Sequence, residues 1–204
     1  CFLDIDASYE NRSATLSTVE AVASQVFIPL TVGGGVSKLQ DIERLLEKGA
    51  DKVSINTSAI LDPSLVGNAA KKFGSQCIVV AVDSKREGEK SYVYTHGGKN
   101  KTAFETSAWI KIVESEGAGE ILLTSMDRDG TKIGFDNELT SSIAKDLSIP
   151  LITSGGAGSI DHMIEGITDG KADAVLAASI FHQKEITIAE VKDGLASKGI
   201  EVRL

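Results

Sequence analysis

Hydrophobic positions along the chain alternate between short β-branched runs and longer segments with helical spacing. Seven runs predict strands, at residues 1–5, 27–32, 52–55, 77–82, 120–124, 150–153 and 174–178. Between the runs, apolar residues such as Leu39, Ile42 and Leu45 recur at the spacing of a helix with one buried face. Apolar strands separated by such helices are typical of a parallel sheet covered on both faces, so the pattern predicts an α/β fold.

The sequence also resembles itself at an offset of 121 residues. Leu30-Thr-Val-Gly-Gly-Gly matches Leu151-Ile-Thr-Ser-Gly-Gly, and Gly49 matches Gly170. An open doubly wound sheet has one ligand site and no reason to repeat, whereas a (βα)8 barrel can be built from two similar halves. We therefore predict a TIM-type barrel of two half-barrels, forming a single domain over residues 1–204, with matching ligand sites in the two halves.

The number of strands falls one short of that architecture. A (βα)8 barrel has eight strands in about 250 residues, while seven strands are readable here and the chain begins inside one of them, without Met. We expect a barrel that lacks its first strand and helix. The strands at residues 1–5 and 174–178 would then be unpaired apolar edges, which recruit other chains. The sequence therefore predicts self-association through this open seam.

Composition excludes several classes of function. Lys and Arg number 21 against 29 Asp and Glu, and the net charge of −8 would repel nucleic acids and anionic membranes. No stretch approaches the roughly 18 apolar residues of a membrane span, and no signal peptide is visible, which predicts a cytoplasmic protein. The two cysteines form no CxxC, the three histidines lack ligand spacing, and no GxGxxG follows a strand, so we expect neither metal nor cofactor.

Two glycine-rich turns occupy equivalent positions in the repeat, Gly33-Gly34-Gly35 and Gly155-Gly156-Ala157-Gly158. Glycine lets main-chain N–H groups face a ligand, and the following helix adds a positive dipole end, so each turn suits a phosphate. The alternative is a plain tight turn between strand and helix. One βα unit later, Asn56-Thr57-Ser58 and Ala178-Ser179 could add further donors. The recurrence favours a substrate phosphorylated at both ends.

Carboxylates follow several predicted strands, at the edge where barrel active sites are built. They are Asp4, Asp6, Asp83, Asp127 and Asp129. Asp83 ends the most apolar strand, where a half-buried carboxyl tends to hold a proton and to act as a general acid or base. Asp83 could instead cap a helix or pair with Lys85. Asp129 could instead belong to an ordinary polar turn with Gly130.

Six ordered motifs together are far more specific than any one of them. They are Phe2-Leu-Asp-Ile-Asp-Ala-Ser, Pro29-Leu-Thr-Val-Gly-Gly-Gly-Val, Gly49-Ala-Asp-Lys-Val-Ser-Ile-Asn-Thr, Val80-Ala-Val-Asp-Ser-Lys-Arg, Leu122-Leu-Thr-Ser-Met-Asp-Arg-Asp-Gly-Thr and Ser154-Gly-Gly-Ala-Gly. With them, the chain resembles the cyclase subunit of imidazole glycerol phosphate synthase, an enzyme of histidine biosynthesis. The related phosphoribosyl-formimino isomerase usually carries an aromatic residue and an earlier Asp in place of Leu-Thr-Ser, and this sequence follows the cyclase.

The resemblance implies a lyase that also closes a ring. A doubly phosphorylated phosphoribulosyl-formimino aminoimidazole carboxamide ribonucleotide would react with ammonia to give imidazole glycerol phosphate and aminoimidazole carboxamide ribonucleotide. The ammonia would come from a glutaminase subunit, in a heterodimer, along the barrel axis. The family's first strand, which supplies a second catalytic Asp, is not in this sequence, so the chain alone is expected to be inactive. The alternatives are the isomerase and a phosphate-binding barrel fragment without turnover.

The resemblance also implies roles for individual residues. Asp83 would be the general acid or base, and Asp129 would support the substrate together with Thr124 and Ser154. One phosphate would bind at Gly35, Asn56 and Thr57, and the other at Gly155, Gly156, Ala178 and Ser179. The ammonia passage would be lined by Lys52, Glu120, Thr31 and Ser54, and Asp51 and Gln76 would lie on the docking side of the glutaminase.

Overall fold

A computed structural model describes residues 1–4 and 16–203 as an α/β fold on one sheet. The strands are β1 (Phe2–Leu3), β2 (Thr31–Gly33), β3 (Lys52–Ile55), β4 (Ile78–Glu87), β5 (Lys90–Thr95), β6 (Asn100–Glu105), β7 (Glu120–Ser125), β8 (Leu151–Ser154) and β9 (Ala174–Leu176). The helices are α1 (Leu16–Ala23), α2 (Leu39–Glu47), α3 (Thr57–Leu61), α4 (Ser64–Phe73), α5 (Thr106–Glu116), α6 (Asn137–Ala144), α7 (Ile160–Thr168), α8 (Ser179–His182) and α9 (Ile188–Ser197), with a 3-10 turn at Ser75–Cys77.

Seven strands are parallel to their neighbours, in the order β1-β2-β3-β4-β7-β8-β9, and curl as in a TIM-type barrel. The predicted fold class is therefore confirmed. Within residues 1–4 and 16–203, β1 and β9 each pair on one side only. Self-association through these edges stays a prediction, as does the single-domain extent. No helix in the described part of the chain is long and apolar enough to cross a bilayer.

Alternate side chains of each strand face opposite sides of the sheet, as the geometry of a strand requires. On β4, Val80 and Val82 are fully buried in the core between sheet and helices. The same core holds Trp109 of α5, which is fully buried with its ring centroid 5.0 Å from that of Phe104. Truncating a large core side chain of this kind costs about 3–5 kcal/mol. Because side chains alternate along β4 and Val82 faces the core, the next residue, Asp83, lies on the opposite, concave side of the sheet.

The sequence repeat is present in the fold. Helix α6 lies 121 residues after α1 with the same length, and α7 lies 121 residues after α2, also with the same length. One detail recurs at the N-terminal ends of the strands. The Leu30 N–H donates to Asp51 Oδ2 at 2.7 Å, and the Leu151 N–H donates to Asp173 Oδ2 at 2.9 Å. The two half-barrels therefore share the lengths of these helices and this side-chain contact to the main chain.

Several predicted strand boundaries were wrong. The strand predicted at residues 27–32 begins only at Thr31, because Pro29 has no N–H to donate and Phe27 is 99% exposed, so this apolar run forms a loop. The strand predicted at 174–178 ends at Leu176, because Ala178 is the N-cap of α8. The strand predicted at 120–124 extends one residue further, to Ser125, and the strand predicted at 150–153 is displaced by one residue at both ends. Of the strand predicted at 1–5, Ile5 lies outside the described residues.

The largest departure from prediction is an antiparallel hairpin. The strand predicted at 77–82 runs from Ile78 to Glu87, and its polar extension pairs with β5, which pairs with β6. Asp83 and Ser84 also pair with β7, whereas residues 85–87 are paired, in the described part of the chain, with β5 alone, and these last residues are polar and exposed. Residues 92–94 carry the alternation of a half-buried strand, with Val93 fully buried between two tyrosines. That alternation, with the two glycines at 97 and 98, is the signal that predicts such a hairpin.

Candidate active site

Asp83 and Asn56 meet at the carboxyl edge of the sheet. Asn56 follows β3, Asp83 lies on the neighbouring β4, and Asn56 Nδ2 donates to Asp83 Oδ2 at 2.9 Å. No ion pair between Asp83 and Lys85 occurs in the part of the chain that the structure describes, where the Lys85 ammonium lies 5.9 Å from the centroid of the Tyr94 ring. Asn56 Oδ1 is buried and accepts no hydrogen bond from the described residues. Asn56 therefore holds the carboxylate with one atom and leaves an acceptor for a ligand with the other.

The environment of Asp83 favours its protonated form. Burial raises the pKa of the Asp83 carboxyl, the hydrogen bond from Asn56 opposes this rise, and the negative charge of Asp129 adds to it. A carboxyl with a raised pKa can both hold and release a proton closer to neutral pH than an exposed aspartate can. Asp83 is therefore a candidate for an acid/base group.

Asp129 lies in the loop that follows β7. The N–H groups of Arg128 and Asp129 both donate to Ser125 O, at 3.2 and 2.9 Å, and Gly130 has a φ of +74°. The alternative of a plain turn is therefore correct for the backbone. The same turn places Asp129 next to Gly155: a Cβ added to Gly155 would lie 3.4 Å from the Asp129 Cβ. The turn brings a second carboxylate to the edge that carries Asp83.

The first glycine-rich turn and the Asn56–Thr57 segment form one continuous rim. Gly35 has a φ of +66°, which favours glycine, and the next residue, Val36, accepts a 2.7 Å hydrogen bond at its carbonyl from Ser58 Oγ. The Thr57 hydroxyl in turn accepts the N–H of His96, at 3.0 Å, from the turn of the hairpin. The structure thus brings Gly35, Asn56 and Thr57 together, as predicted, and adds the hairpin to them.

The second rim repeats this backbone. Gly155 and Gly156 have φ values of +89° and +100°, and Ala178 has a φ of −121° and a ψ of −69°, close to the −128° and −93° of Asn56. Thr124 of β7 is paired in register with Ser154 of β8, next to the second turn. All the residues predicted to bind substrate therefore lie along one edge of the sheet. Their contact with a substrate remains a prediction.

A second group of predicted residues lies at the opposite, N-terminal ends of the strands. Lys52 Nζ and Glu120 Oε1 are in direct contact across β4, and both side chains are largely shielded from solvent. Thr31 is the register partner of Lys52, and buried Ser54 lies one concave-facing position further along β3. The Asp51 carboxylate is committed to the Leu30 N–H. The residues predicted for an ammonia passage thus form a polar column on the concave face.

Sequence reasoning missed the role of Arg86. Its main-chain N–H donates to Asp127 Oδ2 at 2.8 Å, and its guanidinium lies 3.1 Å from Glu138 and 3.8 Å from Asp136. These contacts fix the hairpin extension of β4 to the loop after β7 and to the start of α6. Asp127 is one of the catalytic candidates from the sequence. Its carboxylate accepts a main-chain hydrogen bond from β4. Of the other candidates, Asp4 extends β1 by donating its N–H to Gly33 O, and Asp6 lies outside the described residues.

The fold and this edge define the class of protein: a TIM-type α/β enzyme scaffold that carries polar and glycine-rich groups at the carboxyl ends of its parallel strands. The chain matches the family described as "Histidine biosynthesis protein" over residues 1–187. It belongs to that family, whose members are barrel enzymes of histidine biosynthesis, either the cyclase or the isomerase. The family therefore supports an enzymatic role for the chain.

Proposed function

We propose that this chain is the cyclase, and that it acts on the doubly phosphorylated formimino ribonucleotide together with ammonia. The observation that carries this choice over the isomerase is the contact between Lys52 and Glu120 on the concave face. An isomerase takes one substrate through one edge of the sheet. A cyclase also needs a route for ammonia from the opposite end, and a charged pair at the N-terminal ends of the strands can serve as its gate.

The carboxyl edge supplies the rest of the reaction. Two rims with the same backbone suit the two phosphates of an elongated substrate, and Asp83 lies beside the first of them. Ammonia addition and ring closure require protons to be accepted and donated at the reacting carbon and nitrogens. Asp83, with its raised pKa, is suited to this exchange, and Asp129 adds a second carboxylate from the neighbouring loop.

The N-terminal side of the sheet supports a protein partner. Phe27 is 99% exposed and Ile28 is 57% exposed in the loop that leads into β2, on the same side as Lys52 and Glu120. Exposed apolar residues next to a polar passage suit a docked subunit that delivers a small neutral molecule. We propose that this subunit is the glutaminase, which would form a heterodimer with the chain.

The test compares two substrates on the 204-residue chain and on a version extended at its N-terminus with the family's first strand. With the doubly phosphorylated ribulosyl substrate and ammonium, the extended version should form imidazole glycerol phosphate, followed by product absorbance and mass spectrometry. The ribosyl isomer, without ammonium, should remain unchanged. Conversion of the ribosyl isomer into the ribulosyl form would identify the chain as the isomerase instead. Binding of either compound without any conversion would favour a phosphate-binding barrel.

A further inference from the structure

The hairpin that sequence reasoning missed reaches the first rim. Strand β4 continues past Asp83 to Glu87, and β5 returns antiparallel to it, so that Tyr94 is the register partner of Asp83. Two residues further on, the chain turns at His96, whose main-chain N–H donates to Thr57 Oγ1 at 3.0 Å. The strand that carries the acid/base group therefore also carries the loop that contacts the neighbouring rim.

These contacts form a closed circuit. Asp83 accepts from Asn56, Asn56 precedes Thr57 in the chain, and Thr57 accepts from His96. His96 leads back through β5 to Tyr94, opposite Asp83. A displacement of the hairpin turn would therefore move the first rim relative to the carboxylate. The second rim, built around Ala178 and Ser179, has no such contact to the hairpin among residues 1–4 and 16–203.

The direction of the Thr57 bond determines what the hydroxyl can do. Because Thr57 Oγ1 accepts the His96 N–H, the hydroxyl proton points away from His96 and is available to an acceptor. No hydrogen bond donated by this hydroxyl occurs among the described residues, where its one partner is His96. An anionic oxygen at the first rim would complete it, and charge-assisted bonds of this kind are the stronger ones.

The turn presents this N–H through its backbone conformation. His96, Gly97 and Gly98 have φ values of +54°, +63° and +81°, so three consecutive residues are left-handed. The imidazole faces away from this bond, with its Nδ1 atom 3.0 Å from Thr95 Oγ1 and 3.3 Å from Asn100 Nδ2. Gly98 packs against Met126 so closely that a Cβ added to Gly98 would lie 2.6 Å from the Met126 methyl group. The turn is thus held from both sides, and its contribution to Thr57 is a main-chain group.

We propose that the hairpin turn at residues 96–99 is a positioning element of the first phosphate site, and that the His96 main-chain N–H orients the Thr57 hydroxyl as a donor to the phosphate. This inference rests on the proposed function, because it takes the first rim to be a phosphate site. It assigns to the hairpin a role in ligand affinity at one rim only, and it assigns none to the His96 imidazole.

The test is a titration of the ¹⁵N-labelled chain with inorganic phosphate, following the amide signals of Thr57 and Ser179 separately. His96→Val places a β-branched residue at a left-handed position and disrupts the turn. Phosphate affinity at Thr57 should fall about tenfold, as expected for the loss of one charge-assisted hydrogen bond. Affinity at Ser179 should remain within about twofold. Thr57→Val, which removes the hydroxyl itself, should produce the same selective loss. This variant also tests the bond if His96→Val does not fold.

Two further variants separate the possible causes. His96→Gly retains the left-handed turn and the N–H but removes the imidazole, so it should retain most of the affinity that His96→Val loses. Gly88→Val imposes a similar backbone strain at the other end of the hairpin, where φ is +63° and no atom lies within 4 Å of a Cβ, and should leave both sites unchanged. Equal losses for His96→Gly and His96→Val, or no loss for Thr57→Val, would overturn the inference. Phosphate shifts at neither Thr57 nor Ser179 in the parent chain would overturn the proposed function as well.

Discussion

The two rims at the carboxyl edge share a backbone but differ in what surrounds it. In the first rim, Asn56 donates to Asp83 and Thr57 accepts from the hairpin. In the second rim, Ala178 stands where Asn56 would be, with nearly the same φ and ψ but no polar side chain. The duplicated framework therefore contains two similar rims, while Asp83 is hydrogen-bonded, among the described residues, to only one of them.

The difference arises from a part of the fold outside the repeat. Elements β1 to α4 correspond to β7 to α9, whereas β4, the hairpin and α5 have no counterpart among the described residues. Asp83 and the turn at His96 both belong to this unmatched part. Repetition therefore accounts for two similar rims, and the unrepeated strand β4 adds to one of them the carboxylate that we propose as the acid/base group.

The largest expected effect tests that division directly. Asp83→Asn, in a version carrying the family's first strand, should lower cyclisation by about 10²- to 10⁴-fold, as the removal of a general acid or base does. Substrate affinity, measured by calorimetry, should stay within about tenfold because both rims remain intact. Asp127→Asn is the matched control, since its side chain accepts the Arg86 N–H at the same edge. Equal losses in the two variants would remove Asp83 from the chemistry.

A stability experiment tests the equivalence of the two halves. Gly34 and Gly155 occupy matching positions with positive φ. A Cβ added to Gly34 would lie 2.2 Å from Asp4 O, and a Cβ added to Gly155 would lie 2.7 Å from Ser125 O. Backbone strain and overpacking together should cost about 3 kcal/mol in Gly34→Ala and in Gly155→Ala. Gly130→Ala, with positive φ but open space around its Cβ, should cost about 1 kcal/mol. Urea unfolding measures all three, and a large cost at only one of the matched positions would contradict the equivalence.

The smallest effect comes from making the first rim resemble the second. Asn56→Ala removes the hydrogen bond that lowers the pKa of Asp83, so that pKa should rise further above its ordinary value of 3.8. A raised pKa in the folded state means that the ionised carboxyl destabilises the fold. This penalty is absent below pH 3.8 and develops as pH rises through the folded-state value. The variant should therefore match the parent in this contribution at low pH, fall below it once pH exceeds the parent's folded-state pKa, and remain less stable at every higher pH.

Titration of ¹³C-labelled aspartate by NMR, with unfolding measured at several pH values, checks this prediction. Ser58→Ala is the control, because Ser58 bonds the neighbouring Val36 carbonyl and leaves the Asn56–Asp83 contact in place. An unchanged or lowered Asp83 pKa in Asn56→Ala would contradict the assigned role of the amide.

The sequence predicts the parallel sheet well because its strands are buried, so Val80 and Val82 are apolar regardless of their partners. It does not predict the end of β4, since residues 85–87 are polar and become a strand only by pairing with β5. The apolar run at Phe27 misleads for the converse reason, because its side chain is exposed rather than buried.

The candidate site shows the same limit. The edge of the sheet could be predicted, because the carboxyl ends of parallel strands meet there. The donation from Asn56 to Asp83 could not, since those residues lie 27 positions apart and only the completed sheet makes them neighbours. The contact between His96 and Thr57 depends in addition on the hairpin, which is not among the strands predicted from the sequence.

The carboxylates of Asp51 and Asp173 help to determine which side chains of β2 and β8 face the candidate site. Each holds the main-chain N–H that begins the neighbouring strand segment, at Leu30 or Leu151. Side chains alternate with a period of two, so a slip of one residue would turn every concave-facing group toward the helices. These two bonds, at the N-terminal side, fix the register of β2 and β8 and so determine which side of the sheet Gly33 and Ser154 face. The register of the edge that carries Asp83 is therefore set at the opposite end of the sheet.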